Sequence, residues 1–252
     1  MIWMFWIAVT LVAVAGLLII ATLAPAALIK RRMRHELALK SRGRLALTYD
    51  DGPGPLLAPP LLRLLTERGA KASFFLLGFR AERFPETADA IRAAGHELGN
   101  HTHWHRHAWR TWPWLAVRDV HQGYETMRRW MTGSAPFRPP FGKLITWTYF
   151  TARRRGAPLS FWTHDGGDTW PELPDPKTIA QSVERDGGGV VLLHSHDRGE
   201  DRQRFVLAVT DCLLETARQR GWHVCTMTEI LNAPIAEPAS SSSTAALAGG
   251  AA

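Results

Sequence analysis

The chain holds 252 residues, 46% of them hydrophobic, and about 190 remain for one folded domain with a substantial core once its two compositionally distinct ends are set aside. Its two cysteines, Cys212 and Cys225, have neither CxxC nor metal-ligand spacing, so they supply no disulfide framework and no cysteine-held metal. The formal net charge of +7 raises nucleic acid as a partner, but seven of the 30 Lys and Arg residues fall within residues 30–44, directly behind an apolar segment, and that placement favours a membrane surface.

Residues 1–29 carry no charged side chain and are long enough to span a hydrocarbon core as one helix. A signal peptide is the competing reading, and Ala24-Pro25-Ala26 imitates a cleavage site, but nothing basic precedes the run, which favours an uncleaved anchor. Trp3 and Trp6 then mark one interface, and Lys30, Arg31, Arg32 and Arg34 the other. With that anchor and the positive-inside bias, a single-pass cell-membrane protein with a cytoplasmic folded domain is expected, with residues 30–44 as a basic juxtamembrane linker.

From residue 45 short apolar runs alternate with amphipathic stretches, the pattern of βα units and of a largely parallel sheet or barrel. Strands are expected at residues 45–49, 72–77, 96–99, 159–162, 189–193 and 222–226. Helices are expected at 59–68, 85–94, 114–131, 144–155, 176–185 and 204–220, with Gly69, Gly95 and Gly221 ending three of them. The folded domain is bounded at residues 45–231, and the Ala- and Ser-rich tail 232–252 is expected to be disordered.

Two stretches carry chemistry. Leu45-Ala46-Leu47-Thr48-Tyr49-Asp50-Asp51-Gly52-Pro53 is an apolar run ending in two adjacent carboxylates and a Gly-Pro turn. Neighbours on a strand face opposite sides, but a turn at the strand end lets both acids converge, where they need a cation between them. His101 and His105, within Asn100-His101-Thr102-His103-Trp104-His105, would share one face on a helical turn and form a chelating pair. Two histidines and one carboxylate with open positions suit a hydrolytic metal site.

In these motifs and their order the chain resembles the polysaccharide deacetylases, carbohydrate esterase family four, over about residues 45–231. The resemblance implies an α/β fold, a distorted (β/α) barrel with a mostly parallel sheet, here preceded by one N-terminal transmembrane helix. It implies Asp50 as general base, and Asp51, His101 and His105 as ligands of a divalent ion, with zinc expected and Co2+, Ni2+, Mn2+ or Fe2+ also suited. Phe137-Arg138-Pro139-Pro140-Phe141-Gly142 is similar to the third motif, in which Arg138 orients the base and the backbone after it lines the pocket. In the fourth, Asp165-Gly166-Gly167-Asp168-Thr169-Trp170 departs from the family by an extra threonine before Trp170. Asp165 is the better match to the aspartate that holds the arginine. Val190-Val191-Leu192-Leu193-His194 resembles the fifth, implying His194 as general acid and Leu192 beside the acyl methyl.

The expected reaction is hydrolysis of an N-acyl group, acetyl or formyl, from an amino sugar. Asp50 would take the proton of water, the Phe141 N–H would stabilise the oxyanion and His194 would protonate the leaving amine. Trp109 and Trp170 are candidate sugar-stacking rings. The His107-Ala108-Trp109 run is similar to the family branch that deformylates lipid-linked aminoarabinose, so a polyprenyl-linked sugar stands beside a polymer as substrate. The alternative is a non-catalytic, membrane-tethered carbohydrate-binding module of the same fold. Nucleic acid is not expected, and the oligomeric state is left open.

Overall fold

The computed structural model describes residues 1–235, so most of the expected disordered tail, residues 236–252, lies outside the described residues. Helix α1 runs from Ile2 to Lys40 without stopping at the end of the apolar segment. The stretch expected as a linker is therefore largely helical, because the change from apolar to basic side chains alters where the helix can sit, not whether its backbone is helical. It is long and apolar enough to cross a membrane. Pro25 lies inside it and cannot donate to the carbonyl of Ala21. Thr146 Oγ1 fills that gap from the folded domain, 2.8 Å from the Thr22 carbonyl and 3.3 Å from that of Ala21.

A turn at residues 41–43 reverses the chain into β1 (Arg44–Gly52). The elements that follow are α2 (Ala58–Glu67), β2 (Ser73–Leu76), α3 (Gly78–Arg83), α4 (Pro85–Ala93), β3 (Glu97–Asn100), α5 (Pro113–Thr126) and α6 (Thr146–Arg154). Then come β4 (His164–Asp165), α7 (Pro176–Arg185), β5 (Gly189–His194), α8 (Glu200–Arg220), β6 (His223–Val224) and α9 (Met227–Asn232). The sheet order is β3-β2-β1-β5-β4, with β6 paired to the start of β1, and every pairing is parallel. Bridges from Asn100 to Phe137 and from Phe137 to Leu159 carry the curve beyond β3 toward β4. The result is the distorted, mostly parallel (β/α) barrel that the family resemblance implies.

Alternation along the strands sorts the core. Leu45, Leu47 and Tyr49 of β1 join Val191 and Leu193 of β5 under α2, α7 and α8, where Tyr49 Oη is 2.8 Å from Thr210 Oγ1. Each fully buried Leu or Val there contributes about 1.5–3 kcal/mol. Ala46 and Val190 face the other way, into a second cluster with Phe75, Phe137, Phe161 and, from α1, Ala26 and Leu37. The same parity points Thr48 and Asp50 inward. Residues 159–162, expected as a strand, make only the bridge at Leu159; the Phe161 carbonyl accepts from Arg138 instead of a neighbouring strand, and β4 forms just after them.

Candidate active site

The two adjacent acids converge through a backbone irregularity. Asp50 pairs in register with Phe75 and His194, the register slips between Asp50 and Gly52, and Asp51 takes φ 63°. The left-handed conformation turns its side chain out of strand alternation and toward the cavity that Asp50 faces. The Ser195 N–H donates to the Asp50 carbonyl at 2.8 Å and ties β1 to the end of β5.

His101 and His105 lie on a loop, not on the helical turn their spacing suggests. Asn100 Oδ1 accepts from the Thr102 N–H at 2.8 Å, Thr102 Oγ1 accepts from the His105 N–H at 3.1 Å, and Thr102 and His105 both have positive φ. Asp119 of α5, buried, accepts from the backbone N–H groups of Trp104 at 2.7 Å and Arg106 at 3.1 Å. Side-chain acceptors thus take the donors a helix would have used. Nothing in the local sequence identifies Asp119, fourteen residues beyond His105, as the group that shapes the loop.

The loop brings His101 Nε2 to 3.4 Å and His105 Nε2 to 3.1 Å from Asp51 Oδ1. His101 Nδ1 is 2.7 Å from the Arg138 carbonyl, which can only accept, so Nδ1 carries a proton and a neutral His101 aims a lone pair at the carboxylate. Asp51 Oδ1 is buried with no hydrogen-bond donor. Burial works to raise the Asp51 pKa, but the two imidazoles outweigh it and hold the group well below the usual carboxylate range. His101 is shifted upward, the charges of Asp50 and Asp51 overcoming the opposite effect of burial. Facing lone pairs call for a cation. Ligands about 2.0–2.2 Å from a tetrahedral ion stand roughly 3.3–3.5 Å apart, so the spacing and the hard-to-intermediate N/O donor set both fit a divalent ion. All three ligand atoms lie within 4.8 Å of one another.

Asp50 sits beside this cluster, its Oδ2 3.6 Å from His101 Nε2 and its Oδ1 accepting from Arg138 Nη1 at 2.8 Å. Arg138 is wholly buried. Nη1 also donates to Thr48 Oγ1 at 2.8 Å, Nη2 donates to Ser160 Oγ at 3.0 Å and the Phe161 carbonyl at 3.1 Å, and the guanidinium lies 4.1 Å from the Phe75 ring centre. Thr48 and Ser160, buried beneath the cleft, hold the guanidinium in place, and nothing in the sequence singles them out.

Across the cleft, His194 Nδ1 lies 3.1 Å from Asp168 Oδ1, and Asp168 Oδ2 accepts the His194 N–H at 3.1 Å. Burial alone would lower the His194 pKa. The hydrogen bond and charge of Asp168, with smaller contributions from Asp51 and Asp50, push it up to about 9. The expectation that Asp165 holds the arginine is corrected here, since Asp165 makes no hydrogen bond to Arg138 and accepts instead from the Gly167 N–H of its own turn at 2.9 Å. The buried aspartate of that motif is Asp168, and its partner is the histidine.

The cleft, 430 Å³, is walled by Phe141, Trp162, Asp165, Leu192, His194 and His196 among others. Phe141 has φ 57°, and its ring packs 4.5 Å from His105 and 5.0 Å from His107. Trp109 and Trp170 are not among its walls. Trp109 donates Nε1–H to the Leu144 carbonyl at 3.0 Å and Trp170 is held at its carbonyl by Arg202, both rings half exposed outside. Trp162 is the tryptophan that reaches the pocket. His196 was also missed; its buried Nδ1 is 3.8 Å from Asp51 Oδ2, and burial drops its pKa to about 4. A larger cleft, 520 Å³, lies between α1, α6 and α9, away from the carboxylate–imidazole cluster.

A carboxylate and an imidazole facing each other across a cation-fitting cluster, at the carboxyl ends of parallel barrel strands, define the layout of a hydrolase. Residues 39–157 match the sequence profile of the polysaccharide deacetylases. A Bacillus cereus protein named peptidoglycan-N-acetylglucosamine deacetylase is 34% identical over 190 residues, covering 74% of this chain and 87% of that one. A chitooligosaccharide deacetylase of Bradyrhizobium sp. is 32% identical over 165 residues, covering 62% of this chain and 73% of its own. The crystal structure of a peptidoglycan N-acetylglucosamine deacetylase in complex with 4-naphthalen-1-yl-N-oxidanyl-benzamide superposes with a TM-score of 0.68 at 25% identity, covering 78% and 91% of the two chains. The chain belongs to the polysaccharide deacetylase family.

Proposed function

We propose that this protein is a metal-dependent N-deacylase that removes an acetyl or formyl group from an amino sugar, and that α1 anchors it in a membrane. The observation that carries the proposal is the convergence of Asp51, His101 and His105 on one point with Asp50 and His194 flanking it. The relatives named above act on peptidoglycan and chitooligosaccharide, which supports an N-acylated glycan as substrate, as polymer or on a lipid carrier. Asp51, His101 and His105 are the proposed ligands, with zinc first and Co2+, Ni2+, Mn2+ or Fe2+ equally compatible with the donors. A bound divalent ion supplies Lewis-acid polarisation of the amide carbonyl and makes water easier to deprotonate.

The chain's own groups do the rest. Arg138 fixes one oxygen of Asp50 and leaves Oδ2 toward the cleft, where it takes the proton of the attacking water. The Phe141 N–H, which has no hydrogen-bond acceptor among the described residues, is free to meet the developing oxyanion. His194, held protonated by Asp168, delivers a proton to the amine, which is otherwise a poor leaving group. Leu192 closes the floor against the acyl methyl.

Release of acetate or formate from N-acylated amino sugars tests this. Asp50→Asn abolishes release while zinc content measured on the purified protein is retained, and chelation abolishes release in the unmodified protein. Turnover that survives Asp50→Asn removes Asp50 from the role of base.

A further inference from the structure

Four tryptophans stand out to solvent around one level of α1. Trp109, Trp112, Trp114 and Trp147 are 50%, 65%, 63% and 57% exposed, and they flank the first turns of α5 and α6. Those same turns clasp the helix, since Leu23 packs on Ala108, Ala116 and Ile145, and Thr146 reaches the carbonyls of Ala21 and Thr22. Above that level α1 packs on no other element among the described residues. Residues 2–22 rise about 31 Å as a helix, the thickness of a hydrocarbon core at about 30 Å.

The barrel's orientation follows from where α1 meets it. Lys40, at the helix end, donates to the Leu231 carbonyl and lies next to the start of β1, whereas Lys30 donates from Nζ to the Gly142 carbonyl at 2.8 Å, beside Phe141 at the cleft. The turn at residues 41–43 reverses the chain, so α1, packed on β5, α6 and α9, runs against the direction of the strands. From Lys40 back to Pro25 the helix rises about 23 Å, and from Arg44 to Asp51 the strand rises about 23 Å, so the catalytic acids stand level with Pro25, just below the clasp.

We infer that the domain lies with its catalytic mouth against the lipid surface, the four tryptophans forming a collar in the headgroup layer around the emerging helix. This rests on α1 being a membrane span. Exposed Trp beside Lys143 and Arg110 is the chemistry of that layer, an apolar ring with a polar edge among cations. The acylated sugar must then be presented close to the bilayer.

The full chain in phosphatidylethanolamine–phosphatidylglycerol vesicles tests the inference, with an environment-sensitive fluorophore on Trp112→Cys, Trp147→Cys or Gln219→Cys in a Cys212→Ser background. Cys225 is buried and does not compete for label. Gln219 ends α8 at the opposite pole of the barrel. Lipids carrying a shallow nitroxide are expected to quench most of the emission at positions 112 and 147 and none at 219. Vesicles that float with the protein but leave 112 and 147 unquenched overturn the collar while sparing the anchor. Self-quenching at 112 and 147 that disappears on dilution assigns the patch to a second copy and also overturns it. Extraction of the chain by alkaline carbonate removes the span, and the inference with it.

Discussion

Asp168 and Arg138 each hold one member of the proposed acid–base pair, by different physics. Asp168 acts on His194 through a charge-assisted hydrogen bond worth about 1.5–3 kcal/mol, or roughly one to two pKa units. In the proposed role His194 serves the leaving amine in its protonated form, so its raised pKa keeps that form available up to about pH 9. Asp168→Asn withdraws the charge and is expected to move the alkaline limb of the kcat/KM profile to lower pH by about one to two units, while the acidic limb stays in place. Arg138→Met is expected to act on folding as well. It leaves the buried Asp50 carboxylate without its cation, a loss of about 3–5 kcal/mol that a shift in the urea midpoint reads directly. Arg138→Lys keeps the charge but not the fork that joins Asp50, Thr48, Ser160 and Phe161, so it restores part of the stability and less of the turnover.

At the level of elements, the ligand loop is a product of α5 packed beneath it. A Cβ on Gly123 would lie 2.3 Å from Asn100 Oδ1 and 2.8 Å from the Thr102 backbone, the two residues that turn the chain between the imidazoles. Alanine gains about 1 kcal/mol of helix propensity over glycine, which a backbone collision of this depth exceeds. On the proposed metal site, Gly123→Ala is therefore expected to weaken divalent-ion binding at least tenfold in a zinc titration and to lower the melting temperature, whereas Gly133→Ala, which meets nothing, changes neither. The strands that deliver Asp50 and His194 were legible from sequence because buried parallel strands are near-continuous apolar runs, and the chemistry follows them at their ends. The histidine loop was legible as a ligand pair but not as a loop, since Asp119 and Asn100 act across space. Choosing between Asp165 and Asp168 was equally beyond local pattern: two residues separate them, and which one turns inward depends on the turn at Gly166 and Gly167 and on Arg202 gripping the Asp168 carbonyl.

For the whole molecule, the proposed membrane span makes sidedness a question of charge. Lys30, Arg31, Arg32 and Arg34 follow the apolar segment, and a cytoplasmic domain is the expected outcome. A reporter fused after Ala252 should be active only inside the cell; a fusion active only outside places the domain on the other face and returns the choice of substrate to external polymer. The joint between α1 and the barrel is tightly packed. Gly43 N–H donates to the Gly187 carbonyl at 2.8 Å, and at Gly188, φ 125°, a Cβ would strike the Ser41 and Arg44 carbonyls at 2.4 and 2.5 Å, so the corner is packed too closely to hinge. On the proposed seating, a span that leans to match a thicker or thinner bilayer must carry the barrel with it, lifting one lip of the cleft and sinking the other. Acyl-chain length in the host lipid would then act as a dial on turnover, with no ligand and no movement inside the protein.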